Sequence, residues 1–244
     1  MRAPESLARS LMAARYEQRA VLFLDVLGFK SLIKDGREDL IEQALEITTA
    51  QCQSNITTSA FSDCMVVSMA FVRGVELSEL IGFASSLVLQ LLHVGILSRG
   101  GIAVGELRHE GGIVYGPALI EAYELESKVA CYPRVVLARD AIAKALRIAG
   151  HIEGYDEEWI RGFLRTDEDG WDHVNILDHK ALMPFHPMLP REQPYTLQSL
   201  FEPKAAAVRR ALENNLHADD RSRSKHDWLK AYAAWHEQRY MGRS

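Results

Sequence analysis

Residues 19–29 read RAVLFLDVLGF and residues 61–69 read FSDCMVVSM. Each is an apolar, strand-like run interrupted by one acid, Asp25 in the first and Asp63 in the second. A short apolar run bounded by turn signals fits a central strand covered on both faces. Gly28 breaks the first run, and residues 29–33 open a helical stretch. In the second, Ser62-Asp63 falls at the middle of the alternating segment 56–71, where a hairpin turn belongs. An ionised carboxylate in an apolar strand is costly unless it is paired or bound to a metal. Two of them on strands that can be neighbours suit a hard divalent cation, because Mg²⁺ binds through one or two carboxylates plus substrate phosphates. The plainer alternative is that Asp25 ends a strand and caps the helix after Gly28, while Asp63 is only a turn residue.

Outward from these runs, residues 6–18 read as a short amphipathic helix, and residues 38–51 carry Leu40, Ile41, Ala44, Leu45 and Ile47 at helical spacing. Residues 76–97 form a long helix. The Gly-rich run 99–107 (RGGIAVGEL) is a strand, and Gly111-Gly112 turns the chain into a second strand at 113–115. Gly116-Pro117 then starts a helix through about Ala130, with Pro in the first turn. Strand 135–137 and helix 141–148 follow. After about residue 150 come a turn-rich acidic stretch leading into a strand (166–177) and a proline-rich connector (183–194). Helices at 197–216 and 225–240 complete the chain, the last with Leu229, Tyr232, Ala233 and His236 on one face and Trp228 and Trp235 beside it. This order describes an α+β domain of hairpins and covering helices, not a doubly wound parallel sheet. The expected division is 1–150 as a catalytic domain and 151–244 as a β-hairpin, connector and C-terminal helices packing on it or on a partner copy.

The chain has 244 residues, 48% hydrophobic and 25% charged, enough for one well-buried core or a domain with an accessory lobe. A net charge of -5 without a basic, aromatic-interleaved patch argues against a nucleic-acid binder. Cys52, Cys64 and Cys131 have no metal-ligand spacing and read as reduced thiols of a cytoplasmic protein. The first residues lack the apolar stretch of a signal peptide. Segment 77–97 is broken by Glu79, Ser85, Ser86, Gln90 and His93, whereas a membrane span needs roughly 20 nearly charge-free residues. No histidine pair has zinc-site spacing, and glycines 100, 101, 111 and 112 fall in a strand pair rather than in a P-loop.

FLDVLGF resembles the first metal motif of the class III nucleotide cyclases, Phe-x-Asp-Ile-x-Gly-Phe, and FSDCMVVSM resembles their second. RGGIAVGEL is similar to that family's Arg-x-Gly-Ile-x-x-Gly strand, and VYGPALIEAYELES occupies the place of its Gly-x-x-Val-Asn-x-Ala-x-Arg-Leu helix. The departures matter. Lined up at Gly116, the family's transition-state Asn and Arg fall on Ile120 and Glu124, and its purine-reading Lys and Asp fall near Ser59 and Ile113. The RGGI strand, the GPAL-x-EAY-x-LE helix, the following Tyr132-Pro133-Arg134 and the C-terminal WLKAYAAW look closer to the bacterial pyrimidine (uridylate or cytidylate) cyclases of the Pycsar antiphage systems.

The resemblance implies a class III cyclase sheet, ferredoxin-like or palm-type, with covering helices and a helical C-terminal extension. It implies two Mg²⁺ or Mn²⁺ ions held by Asp25, Asp63 and the carbonyl of Val26. It also implies nucleotide contacts from Phe23, Ser62 and the backbone of Leu27, Gly28 and Phe29, and a homodimer with shared sites. The expected reaction is cyclisation of UTP, or less favoured CTP, to a 3′,5′-cyclic monophosphate and pyrophosphate. The product would be an alarm signal read by a separate effector. With the usual Arg replaced, Lys128 and Arg99 are the candidate cations; plainer roles are an i,i+4 partner of Glu124 for Lys128 and a surface strand end for Arg99. Arg134 reads as structural, and Cys64 as a small buried thiol. The competing expectations are a degenerate cyclase-homology domain that only binds a nucleotide or partner, and a diguanylate cyclase, for which residues 61–64 lack the GGDEF-like turn.

Overall fold

The computed structural model describes residues 16–49, 55–178, 197–214 and 220–241. Chain order is β1 (Glu17–Val26), α1 (Phe29–Lys34), α2 (Glu38–Thr49), β2 (Ile56–Phe61), β3 (Cys64–Ala70), α3 (Glu76–His93), β4 (Ser98–Glu110), β5 (Ile113–Tyr115) and α4 (Pro117–Glu124). A π-helical turn (Leu125–Val129) continues α4, and then come β6 (Val135–Leu137), α5 (Ala141–Ala149), α6 (Glu157–Arg161), β7 (Leu164–Thr166), β8 (Asp172–Val174), α7 (Leu197–Asn214) and α8 (Asp220–Met241).

Among the described residues eight strands form a sheet in the order β2-β3-β1-β4-β6-β8-β7, with β5 paired to β4. β1 runs antiparallel to both β3 and β4, and β4 runs parallel to β6. A β-α-β-β-α-β path with the first strand between the third and fourth is the ferredoxin-like, split-βαβ arrangement, as the α+β expectation required. β1 is central because its run is apolar on both sides: Ala20, Val21, Leu22 and Leu24 are all buried.

The two faces of β1 meet different partners. Leu24 and Val26 line a small crevice with Phe29 and with Ala44, Leu45 and Thr48 of α2. On this side α3 is buried along nearly its whole length, including Leu77, Leu80, Ile81, Leu87 and Leu91. It is therefore a core helix, and no helix among the described residues is long and apolar enough to cross a membrane. The opposite face carries Phe23 and Asp25, which pair in register with Gly101 and Arg99 of β4. Helix α4 lies on this face, with Tyr123 edge-on to Phe23 at a centroid distance of 5.4 Å.

Several boundaries differ from the sequence expectations. Residues 6–15 of the expected N-terminal helix lie outside the described residues, and Glu17 and Gln18 at its end are strand, pairing with Leu107 and Glu106 of a longer β4. The connector at 183–194 and Cys52 also lie outside them. α6 was not anticipated; its N-cap is Asp156, whose carboxylate accepts the Trp159 N–H at 2.8 Å. The helix expected to run to Ala130 changes hydrogen bonding at Leu125 into a π-turn.

The approach of α4 to the sheet depends on one glycine. A Cβ at Gly101 would stand 2.3 Å from the Ala122 carbonyl oxygen and 2.6 Å from Leu125 Cβ, whereas one at Gly105 would meet Ala118 Cβ at an ordinary 3.5 Å. Gly101→Ala should therefore destabilise the fold by about 2–3 kcal/mol, as overpacking against backbone does, while Gly105→Ala should be tolerated. Urea-unfolding midpoints of the two variants check this.

Candidate active site

Three strand ends meet beside β1. Asp25 stands opposite Cys64 on β3 and opposite Arg99 on β4. Asp63 is the second residue of the Ser62-Asp63 turn joining β2 to β3, and its carbonyl accepts the Val26 N–H at 2.8 Å. That bond ties the turn to the end of β1 and brings the two acids together. Ser62 has φ +55°, the only positive value at a described non-glycine residue. A positive φ at the first residue of a two-residue hairpin turn ordinarily calls for glycine. Strain of this kind is kept where the surrounding structure over-determines it, commonly at sites of function.

The electrostatics are those of crowded acids. Burial raises the Asp25 carboxyl above its ordinary value, Arg99 opposes this, and the neighbouring Asp63 charge adds to it. Lys225 of α8 also acts on Asp25 through space, in the lowering direction. Glu126, in the π-turn, has only 3% of its side chain exposed. Burial pushes it up to about 7 against the pull of Arg99, and the charges of Asp25 and Asp63 add to the rise. Burial and the acids Asp63, Asp25 and Glu126 likewise raise the Cys64 thiol, the opposite of what a reactive thiolate needs.

Arg99 lies between two carboxylates. Its Nε donates to Asp25 Oδ2 at 3.5 Å and forms an ion pair with Glu126 Oε1 at 2.6 Å, although that oxygen accepts no hydrogen bond. The terminal nitrogens of Arg99 make no hydrogen bond among the described residues. Lys128, the other candidate cation, pairs with Glu124 at 2.7 Å on the exposed side of the helix, in the i,i+4 arrangement of a solvated face. The structure thus brings Asp25, Val26, Asp63, Ser62 and Arg99 together and leaves Lys128 turned to Glu124.

The remaining expected contacts divide. Phe23 shares the face of Asp25 and, with Tyr123, forms a half-open aromatic surface beside it. Gly28 takes the left-handed conformation, φ +79°, and caps α1. The Leu27 N–H is already donated to the Leu97 carbonyl at 2.8 Å. Leu27 is therefore corrected as a phosphate donor: its backbone is committed to the sheet, leaving Gly28 and Phe29 at the helix start, where N–H groups lack intrahelical partners. Glu126 was missed, since a Glu two residues after Glu124 on a regular helix carries no signal that it turns inward.

The oxygen-rich set at Asp25 and Asp63 fits a hard divalent cation. Among the described residues no three His, Cys, Asp or Glu side chains converge into a preformed metal site. A Mg²⁺ ion does not need such a cage when substrate phosphates complete its shell.

At the far end of the same face, Arg19 is buried and donates to Ser68 Oγ, Thr57 Oγ1 and Glu17. His109 lies between Ser68 Oγ (Nδ1, 2.8 Å) and Ser59 Oγ (Nε2, 2.9 Å). Each imidazole nitrogen thus has a serine hydroxyl as its partner, and a hydroxyl can donate or accept, so the ring is satisfied in either tautomer. The Ser59 position therefore holds a hydroxyl bonded to His109 instead of a cation, while Ile113 is exposed.

The second half of the resemblance is one packed contact. Tyr132 stacks on Trp228 of α8 with rings 3° from parallel, and Trp228 Nε1 donates to Asp167 at 2.7 Å. Buried Arg134 bonds Asp167 (2.8 Å), Asp169 and the Val129 carbonyl. Arg134 is thus structural, as expected. Leu229, Tyr232 and His236 are buried, so the aromatic face of α8 is core.

No family model and no curated protein matches the chain. Among solved structures it is similar to a bacterial light-regulated adenylyl cyclase, at 16% identity and a TM-score of 0.40 over 54% of this chain and 79% of that one. It is also similar to an adenylate/guanylate cyclase/hydrolase from Silicibacter pomeroyi, at 18% identity and a TM-score of 0.36 over 65% and 97%. The fold rests on the strand order above.

Burial and the nearby Arg19 charge hold His109 down at about 4 in the fold, below an ordinary histidine near 6.5. Protonation then favours the unfolded chain. The His109 contribution is fully present above about pH 6.5 and is lost as pH falls toward 4. His109→Gln should take up about one proton fewer on unfolding near pH 5. Urea titrations at pH 4.5, 5.5 and 7 give that slope; an unchanged slope would mean the imidazole titrates normally.

Proposed function

We propose that this protein is a pyrimidine nucleotide cyclase, a phosphorus–oxygen lyase that converts UTP, in preference to CTP, to the 3′,5′-cyclic monophosphate and pyrophosphate. The observation carrying this reading is the meeting of Asp25 and Asp63 at the end of the central strand of a ferredoxin-like sheet, with the unsaturated donors of Arg99 beside them. The four motifs that resemble class III cyclases lie on the elements that build this corner: β1, the β2–β3 turn, β4 and α4 with its π-turn.

Asp25 and Asp63, with the Val26 carbonyl, are the residues that would hold two Mg²⁺ or Mn²⁺ ions. When bound, such ions make a ribose hydroxyl more acidic and offset triphosphate charge. The chain's own part is positioning and electrostatics. The ribose 3′-oxygen attacks the α-phosphorus, the bond from that phosphorus to the bridging oxygen of the β-phosphate breaks, and pyrophosphate departs with that oxygen as the hydroxyl proton passes to solvent water. The terminal nitrogens of Arg99 can donate to a phosphate oxygen, supplying cationic stabilisation where Ile120 and Glu124 replace the family's Asn and Arg. Phe23 and Tyr123 offer a ring face within reach of the acids. Ser59 and Ile113, at the purine-reading places, lack the cation and acid used for that purpose, which favours the smaller bases.

A second copy would complete the site. Ile120 and Tyr123 on α4 and Phe61 at the hairpin end are exposed apolar groups near it, and we place a homodimer contact there. By resemblance the cyclic nucleotide would serve as a second messenger in antiphage abortive infection, read by a separate effector in the cytoplasm. The alternative, a degenerate domain that binds nucleotide without turning it over, is favoured by Ile120 and by the tie between Glu124 and Lys128.

Incubation with each of the four ribonucleoside triphosphates and Mn²⁺, followed by product identification, separates these readings. The expected result is cyclic UMP or cyclic CMP, with at least about a hundredfold loss in both Asp25→Asn and Asp63→Asn. Near-normal turnover in either variant contradicts the site. Nucleotide binding without any cyclic product would establish the degenerate domain.

A further inference from the structure

The π-turn after α4 places a charge where a regular helix would not advertise one. Gly101 lets the Ala122 carbonyl and Leu125 settle against β4, and the widened turn carries Glu126 inward over Arg99 while Glu124 and Lys128 remain outside. Insertions of this kind are frequent at functional positions. The Glu126 carboxylate is almost fully enclosed, and its Oε1 accepts no hydrogen bond although it lies 2.6 Å from Arg99 Nε. The N–H of that same nitrogen is spent on Asp25 Oδ2, at a long 3.5 Å. One guanidinium therefore serves two acids, in closer contact with the acid that takes no hydrogen bond from it.

We infer that Glu126 is a positioning residue that governs Arg99, and that Arg99 is an internal counter-ion which a divalent cation must displace from Asp25. This rests on the reading of Asp25 and Asp63 as the metal-holding pair. With no cation bound, the guanidinium neutralises part of the Asp25 charge. A cation at Asp25 repels the guanidinium, which swings off Asp25 and turns its Nε–H onto Glu126 Oε1, already 2.6 Å from that nitrogen. It is not expelled, because the buried carboxylate keeps it beside the site with its terminal nitrogens free for an anion. Divalent cation and triphosphate then bind cooperatively through a pair that touches neither the ribose nor the base. The coupling is reciprocal, as any linkage between two binding events must be. Glu126 is not itself a metal ligand in this arrangement; it acts through Arg99.

The test is Mn²⁺ binding to the full chain, followed by loss of the free-ion electron paramagnetic resonance signal, with and without a non-cyclisable triphosphate analogue. Without nucleotide, Arg99→Gln should bind Mn²⁺ about tenfold tighter than wild type, and Glu126→Gln about tenfold weaker, within the usual range of site coupling. In the Arg99→Gln background, Glu126→Gln should lose most of its effect, and the gain in Mn²⁺ affinity produced by the analogue should vanish. Unchanged or weakened binding in Arg99→Gln overturns the inference. So does a full Glu126→Gln effect that persists when Arg99 is already replaced, since Glu126 would then act directly on the ion. Asp63→Asn separates the two levels: if it binds Mn²⁺ like wild type, the metal-holding pair itself is wrong and this inference falls with it. If Asp63→Asn abolishes binding but the Arg99 and Glu126 variants match wild type, only the counter-ion role is lost. Thermal unfolding of each variant, including the double variant, identifies any loss that reflects misfolding.

Discussion

The corner at the end of β1 depends on like charges being held together. Asp25 ends the central strand of the sheet, Asp63 is pinned beside it through the Val26 N–H, and Glu126 is pressed in from the π-turn. Left alone, three acids in a half-buried corner would repel, and burial raises the proton affinities of Asp25 and Glu126. Arg99 is the cation in direct contact with the corner, shared between Asp25 and Glu126, with Lys225 acting on Asp25 from farther off. A fold seldom keeps such a conflict without a use for it, because apolar replacements would pack the corner at lower cost. The use that fits the donors is a cation, with an anionic substrate following it.

The surrounding architecture serves that corner. A ferredoxin-like path places β1 between β3 and β4, so three strand ends from distant parts of the chain converge with fixed register. α3 closes one face with an apolar core, leaving the other face for α4 and the site. Close contact of α4 at Gly101 sets how far Glu126 reaches. Beyond β6 the sheet continues through β8 and β7, where Arg134, Asp167, Asp169 and Trp228 join the strand end to α8. That junction brings the start of α8, with Lys225, to the rim of the acidic corner.

Much of this was legible in the residues, for reasons that can be named. Apolar runs with one interruption each identified β1 and β3, and Ser62-Asp63 was placed at the turn because two polar residues between alternating segments have few other uses. β5 and β6 fell at their expected positions, since glycine pairs and a proline bound them closely. Errors came where tertiary pairing overrides local pattern. Glu17 and Gln18 look helical with their N-terminal neighbours but are recruited as strand by the long β4. The π-turn was invisible because nothing local in ELESKV marks where the hydrogen-bond step changes and the side-chain phase shifts, and with it went Glu126, the most deeply buried acid of the site. Leu27 was misjudged for a similar reason: nothing local shows that its N–H is claimed by Leu97, seventy residues later. The motifs at Tyr132 and in α8 looked like separate signatures, yet they are two sides of one stacked contact.

The most direct measurement is diffraction from crystals grown with Mn²⁺ and a non-cyclisable pyrimidine triphosphate, using the anomalous signal of manganese to locate the ions. Density for bound manganese touching carboxyl oxygens of both Asp25 and Asp63, with phosphate on its far side, is the result this account predicts. Manganese held elsewhere, or the two carboxylates still paired only with protein groups while nucleotide occupies a different surface, would contradict it.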